Sequence, residues 1–398
     1  MSRQPAISIE SVIQAVKRAG PGGLAPEALA GAFPDISRST LNRRLRELTL
    51  SGQIRPVGQG RATRYIVPMA YSTDDIRRYF ATDWQARVPA RYREELLEPD
   101  PGLEADKAMR LAHLQALSRP LDRKFLADFL IDFSWASSVL EGSTYSDIDT
   151  QALLEYGQRN PDKPVEDAVL ALNHKNAIQH LWANRELASD NLCRIQSLLT
   201  DRHGLAEIIE SEHFLPEAQR GHPREYAEVH LGRSTYSPPF RPGTGYIAGA
   251  LERIVVTARD LEPVSAAFYL MTRIPYLQAF ANGNKRTSRL AANLPLLQAN
   301  LLPISFVDFN KADYIMGMAA FYELGDTQLI AQTFIEGYAR SIVRGSDIPT
   351  SVRVAGFNIE KTTRELVHYV HTARIPDQDD ARRFLNHAVS PAPTFVAR

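Results

Sequence analysis

The chain has 398 residues, with 46 Lys and Arg matched by 46 Asp and Glu. That length is too great for one small core, so two or more domains are expected, and the balance excludes a chain-wide charge bias. Cys193 is the only cysteine, which excludes an intrachain disulfide and fits a reducing cytoplasm; the early-charged N-terminus lacks a signal-peptide hydrophobic region, and no apolar run approaches the ~20 residues that span a bilayer.

Charge is local, however. Residues 1–70 hold ten Lys and Arg against four acids, a formal +6 that suits a polyanion partner. Ile9, Val12, Ile13 and Val16 have helical spacing, and Gly20-Pro21-Gly22-Gly23 stops that helix. Pro26 begins a second helix that ends at Gly31. Ser37 is the N-cap of a third, Arg38 to Leu50, with Leu41, Leu45 and Leu48 on one face; Ser51-Gly52 ends it. Two short strands, 53–57 and 62–67, then flank the turn Gly58-Gln59-Gly60-Arg61.

Over about 65 residues this order resembles winged helix-turn-helix DNA-binding domains. The resemblance implies that Ser39, Thr40, Asn42, Arg43 and Arg46 lie on the exposed face of a recognition helix, where they meet bases and phosphates of double-stranded DNA. Arg61 and Arg64 in the wing would meet backbone or minor groove. A winged helix used for protein contact or dimerisation is the alternative.

Residues 71–104 are charged, carry Pro89, Pro99 and Pro101, and read as a connector with one or two helices. Residues 105–345 read as mostly helical. The spacing predicts helices over Ala108–Leu117, Asp122–Leu140, Asp147–Gln158, Val165–Asn184, Asp190–Leu199, Gly245–Asp260, Val264–Phe280, Arg286–Asn300, Lys311–Glu323 and Thr327–Ile342. Tyr226–Tyr236 reads as extended. Residues 346–398 form a final helix near Glu360–His371 and a polar tail. His368 and His371 have helical spacing but no nearby third ligand, so they read as surface histidines.

Residues 276–289 are the most informative stretch. Gly283, Asn284, Lys285 and Arg286 form a basic turn that opens an apolar helix. Turn amides, the helix start and the charges of Lys285, Arg286 and Arg289 make a phosphate cradle, with an ordinary basic helix cap as the alternative. It is not a Walker P-loop, because no Gly-Lys-Ser/Thr is present there.

This stretch resembles the signature of the Fic (Fido) family, His-Pro-Phe-x-Asp/Glu-Gly-Asn-Gly/Lys-Arg-x-x-Arg. Phe280, Gly283, Asn284, Lys285, Arg286 and Arg289 fall on matching positions. Two departures matter: Gln278 stands at the catalytic His, and Asn282 at the acid that holds Mg²⁺. The resemblance implies ATP binding by Asn282, Gly283, Asn284, Lys285, Arg286, Thr287, Ser288 and Arg289, with Tyr314 against the adenine unless it is core. It makes Tyr226–Tyr236 a β-hairpin flap beside the site, with Leu231 and Gly232 near the nucleotide.

Ser137-x-x-x-Glu141-Gly142 resembles the inhibitory-helix motif of the same family. It places the inhibitory helix around 126–142 and pairs Glu141 with Arg289, blocking the γ-phosphate site. Gln278 has no basic lone pair, so it cannot take a proton from a target hydroxyl. Asn282 could still offer Mg²⁺ a carbonyl oxygen but no charge, so any metal is held weakly.

The sequence thus describes a mostly α chain: a winged helix over 1–70, a connector over 71–104, a Fic domain over 105–345 and a tail over 346–398. Its expected function is a DNA-binding regulator with an autoinhibited, nucleotide-binding Fic module of weak or non-standard adenylylation; it is expected to be a homodimer. An active transferase acting on a protein target, recruited by the winged helix, and a non-catalytic oligomerisation scaffold are the competing readings.

Overall fold

The structure is a computed structural model that describes residues 9–19, 22–50, 53–58, 60–67, 71–99, 103–204, 211, 213–348 and 357–389. Gly20-Pro21, Ser51-Gly52 and Gln59, which the sequence reading uses as stops and turn, lie outside these residues. The chain divides into two compact units, one of residues 1–94, 229–239 and 315–330, the other of the remainder.

In the first unit, α1 (Ile9–Arg18), α2 (Pro26–Ala32) and α3 (Arg38–Leu50) close on a core of Val12, Val16, Leu29, Leu41, Leu45, Leu48 and Ile54. Val12 and Val16 are four apart, and Leu41, Leu45 and Leu48 follow at four and three. Each set therefore forms one stripe turned inward. Ser37 caps α3 by accepting from the Thr40 amide at 3.2 Å, satisfying one of the helix's unpaired donors. β1 (Arg55–Val57) pairs antiparallel with β2 (Arg64–Ile66), Arg55 opposite Ile66, around a 3₁₀ turn at Gly60–Ala62. Leu24 bridges to Tyr65, adding a third strand position.

Residues 71–94 of the expected connector belong to this unit. α4 (Thr73–Ala81) starts with a capping box between Ser72 and Asp75, and packs Ile76 and Tyr79 against Ala320, Leu324 and Leu329. Buried Glu323 takes an ion pair from Arg87 at 3.2 Å and hydrogen bonds from the Tyr79 hydroxyl, the Ser234 hydroxyl and the Thr235 amide. These bonds fix the extended segment before β4. The segment differs from the sequence reading: residues 226–235 carry no strand. β4 (Tyr236–Ser237) instead pairs parallel with β3 (Ala90–Arg91). Arg87 donating to the Arg233 carbonyl helps hold that alternative pairing.

The second unit is helical. It runs through α5 (Ala105–His113), α6 (Arg123–Leu140), α7 (Asp147–Tyr156), α8 (Val165–Ala183), α9 (Ser189–Leu199), α10 (Tyr246–Arg259), α11 (Pro263–Leu277), α12 (Asn284–Ala291) and α13 (Asn293–Gln298). The division between units falls inside α14 (Lys311–Leu324) and α15 (Gln328–Arg344); α16 (Ile359–Thr372) and α17 (Asp379–Val389) complete the chain. α17 adds a helix within the stretch read as a polar tail: Ala381, Phe384 and Leu385 recur at helical spacing and are buried. α11 is buried on every side from Ala266 to Leu277, so it is the axis on which α10, α12 and α13 pack. Among the described residues, no helix is long and apolar enough to cross a membrane.

Candidate phosphate-binding site

The site begins where α11 stops. Pro275 lies in its last turn, and the helix ends two residues later at Leu277, with Gln278 in the left-handed region at φ 50°. A non-glycine residue there costs about 1–2 kcal/mol. Local bonds offset that cost: the Gln278 carbonyl accepts from Arg224 Nε at 2.6 Å, and the Arg224 amide donates to the Ala279 carbonyl. The Gln278 side chain is engaged at both ends. Its Nε2 donates to the Pro275 carbonyl at 2.7 Å, and its Oε1 accepts from Asn284 Nδ2 at 2.9 Å.

Asn284 braces the loop from inside. Its Oδ1 accepts from the Phe280 amide, and its Nδ2 also donates to the Phe280 carbonyl. Gly283 precedes α12 at φ 77°, and a Cβ there would stand 2.8 Å from the Thr200 methyl, so conformation and space both require glycine. α12 has no side-chain cap. Its first-turn amides therefore keep the partial positive charge of a helix start. The Thr287 hydroxyl in that turn is buried without a hydrogen-bond partner.

Three sequence-derived assignments change in the structure. Arg286 is buried and donates to the carbonyls of Leu199 (2.8 Å) and His213 (2.6 Å) and to Asn282 Oδ1 (3.3 Å). It braces the loop and does not present an open phosphate contact. Burial lowers its pKa to about 10 despite Glu141, which leaves it charged. Asn282 turns its Oδ1 inward, where it also accepts from the Gly283 amide. With that oxygen committed and an uncharged amide in place of a carboxylate at this position, the residues fit a divalent cation poorly. Among the described residues, no group of three or more His, Cys, Asp or Glu could hold one. Tyr314 is 2 % exposed and packs edge-on against Phe306 and Phe309, so it is core and not an open adenine platform.

Arg289 is the focus of the charge. It lies one turn into α12, fully buried, and the Glu141 carboxylate meets its Nη2 at 2.6 Å. Its Nε donates to Ser137 Oγ at 2.9 Å, and Nη2 also reaches the Ser137 carbonyl at 3.3 Å. Ser137 and Glu141 are four apart on α6, so one helix edge grips one guanidinium. Gly142, at φ 101°, turns the chain away after that grip, as the sequence motif requires. Burial alone would raise the Glu141 pKa, but Arg289, Arg286 and Lys285 hold it down at about 2. The pairing expected between Glu141 and Arg289 is thus present. Lys285 is exposed, and Ser288 donates its hydroxyl to the Lys285 carbonyl.

Sequence reasoning did not find His174, Gln196 or Arg224. Gln196 on α9 donates to the Asn282 carbonyl at 3.0 Å and accepts from the Gly221 amide at 2.6 Å. His174 on α8 bonds Ser137. No signal in the sequence marks them, because a polar residue on a buried helix face looks like any other helical position.

The remaining candidates belong to the first unit. Leu231 and Gly232 lie on a turn, Gly232 exposed, and not in the unit that holds residues 283–289. Ser39, Asn42, Arg43 and Arg46 are exposed on α3 at spacings of three and four, opposite its leucine stripe. Thr40 is half-buried against Ser37. Arg43 has only a 3.9 Å contact with Glu47, whose other oxygen takes Arg44 at 2.6 Å. Arg61 is exposed in the hairpin turn and Arg64 half-buried on β2.

Residues 186–296 match the family model described as Fic/DOC family. No curated protein matches the chain in sequence. Among solved structures, the chain is similar to a Fic family protein from Desulfovibrio desulfuricans, with 14 % identity over 72 % of this chain and 84 % of that one, at a TM-score of 0.49. It is also similar to Fic-1 from C. elegans (15 % identity, 84 % and 91 % covered, TM-score 0.45) and to a Fic domain-containing signaling protein from Bacteroides thetaiotaomicron (17 %, 62 % and 100 %, TM-score 0.44).

Proposed function

We propose, on the premise that the chain contains a Fic/DOC domain, that the loop 282–289 and the start of α12 bind the phosphates of ATP or a related nucleotide, and that Glu141 competes for the same cation. The carrying observation is the 2.6 Å contact between Glu141 and Arg289 beside a helix start with no side-chain cap. An anion already occupies the guanidinium, as a phosphate oxygen would. First-turn amides, Lys285 and Arg289 supply the binding charge. Arg286, Asn284 and Asn282 keep the loop in shape.

Transfer of AMP to a protein hydroxyl is weak in this reading. Gln278 offers no basic lone pair, and its amide is tied at both ends. When bound, Mg²⁺ would supply charge neutralisation at the phosphates, but these residues leave it to the nucleotide itself. The test is transfer of labelled AMP to the protein itself or to a lysate protein. The combined change Glu141→Gly, Asn282→Asp and Gln278→His should label well above wild type, and Gln278→His alone should do little. Wild-type labelling as strong as the combined variant would mean that another base acts, in favour of an active transferase.

The first unit binds duplex DNA in this proposal, as a winged helix-turn-helix. Support comes from the exposed stripe Ser39, Asn42, Arg43 and Arg46 on a capped helix, next to a hairpin that carries Arg61 and Arg64. The chain is then a DNA-binding regulator whose second unit senses nucleotide.

A further inference from the structure

The grip on Arg289 has a polarity, and α8 sets it. His174 is fully buried. Its Nδ1 stands 2.8 Å from the Leu170 carbonyl and 3.2 Å from Ser138 Oγ, and its Nε2 stands 2.8 Å from Ser137 Oγ. A carbonyl can only accept, so Nδ1 carries the proton. In a neutral ring Nε2 is then a lone pair, and the Ser137 hydroxyl must donate to it. That leaves the Ser137 oxygen turned as an acceptor toward Arg289 Nε. Burial, together with the nearby Arg286 and Arg289 charges, lowers the His174 pKa to about 3, so the ring stays neutral. Phe133 packs on the ring at 5.9 Å and keeps it in place.

We propose that His174 is the positioning residue of the inhibitory grip: its hydrogen bond to Ser137 fixes that hydroxyl as the acceptor which, with Glu141, holds Arg289 away from a phosphate. The chain of donation runs from Arg289 Nε to Ser137 Oγ, from the Ser137 hydroxyl to His174 Nε2, and from His174 Nδ1 to the Leu170 carbonyl. Without the imidazole, the Ser137 hydroxyl can rotate and point its proton at the guanidinium, and the grip loosens. This inference rests on the nucleotide reading only for its consequence; the polarity stands on the geometry.

The direct test is ¹⁵N NMR of the full-length protein with labelled histidine and arginine. Wild type should show His174 protonated on Nδ1, unprotonated on Nε2, and unchanged between pH 5 and 8. The Arg289 Nε–H should exchange slowly, and His174→Phe, which keeps the ring shape, should speed that exchange about 3- to 10-fold, the worth of one net hydrogen bond. Ser137→Ala should have the same effect, with nothing added by combining the two, and ATP should bind more tightly to both single variants by a similar factor. A merely structural role would lower the melting temperature without that non-additivity. A His174 proton on Nε2, or Arg289 exchange untouched in His174→Phe, would overturn the proposal. If ATP binds no variant, Glu141→Gly included, the nucleotide reading falls, while tautomer and exchange still decide on His174.

Discussion

At the residue scale, the arginines of α12 divide the work. Arg286 spends its donors on three oxygens within the loop and its supports, whereas Arg289 spends its donors on α6. Arg286→Ala would leave the Leu199 and His213 carbonyls and the Asn282 oxygen short of a partner. The expected loss of stability is about 2–5 kcal/mol, read by urea denaturation, with nucleotide affinity falling alongside it. A variant with unchanged stability but lost ATP binding would instead make Arg286 a direct phosphate contact. The buried titrating groups make a second prediction. His174 titrates ordinarily near 6.5 and here at about 3; Glu141 ordinarily near 4.5 and here at about 2. Both folded values are depressed, so the unfolded chain binds more protons and stability falls as pH falls. The His174 share is present above pH 6.5 and lost toward pH 3; the Glu141 share is lost between 4.5 and 2. Unfolding measured at pH 5 and 7.5 should differ by about 2 kcal/mol from His174 alone, and the difference should shrink in His174→Phe. An unchanged slope in that variant would contradict a neutral buried ring.

At the element scale, the local rules wrote most of the helices. Asp122 and Ser146 cap α6 and α7 through amides three residues on, and both starts are legible as Asp or Ser before an apolar period. α11 was expected to run on to Phe280, because Leu277, Ala279 and Phe280 are apolar. It stops at Leu277 because the Gln278 side chain takes the Pro275 carbonyl, Asn284 takes the Phe280 amide and Arg224 takes the Gln278 carbonyl, which no local pattern announces. The hairpin at 226–236 is absent for a similar reason: its strand-like residues are held by Glu323 and Arg87, far away in sequence. α3 carries the prediction at this scale. Arg43→Ala with Arg46→Ala should weaken duplex DNA binding, and the slope of log affinity against log salt should fall by about 1.8 if each arginine meets one phosphate. Wild type showing no shift at low salt would remove the DNA reading altogether.

For the whole molecule, the two units differ in how far sequence alone describes them. The helix, helix, helix and hairpin order of the first 67 residues is present as expected, because each step depends on neighbours: caps, leucine stripes and a glycine turn. The signature stretch is also legible in spacing, and the Glu141 contact falls where the motif implies. What the sequence does not reveal is commitment. Arg286 reaches the Leu199 and His213 carbonyls and His174 stands behind Ser137, contacts between segments far apart in sequence, while Tyr314 is sealed by two phenylalanines of the segment before α14. The central claim is that one anion site is shared by Glu141 and a nucleotide phosphate. Calorimetric titration of ATP into the full-length wild type and into Glu141→Gly tests it most directly. Removing the competing carboxylate should tighten binding about 10- to 100-fold, the worth of a charge-assisted contact. Equal affinity of the two proteins for ATP would contradict the claim.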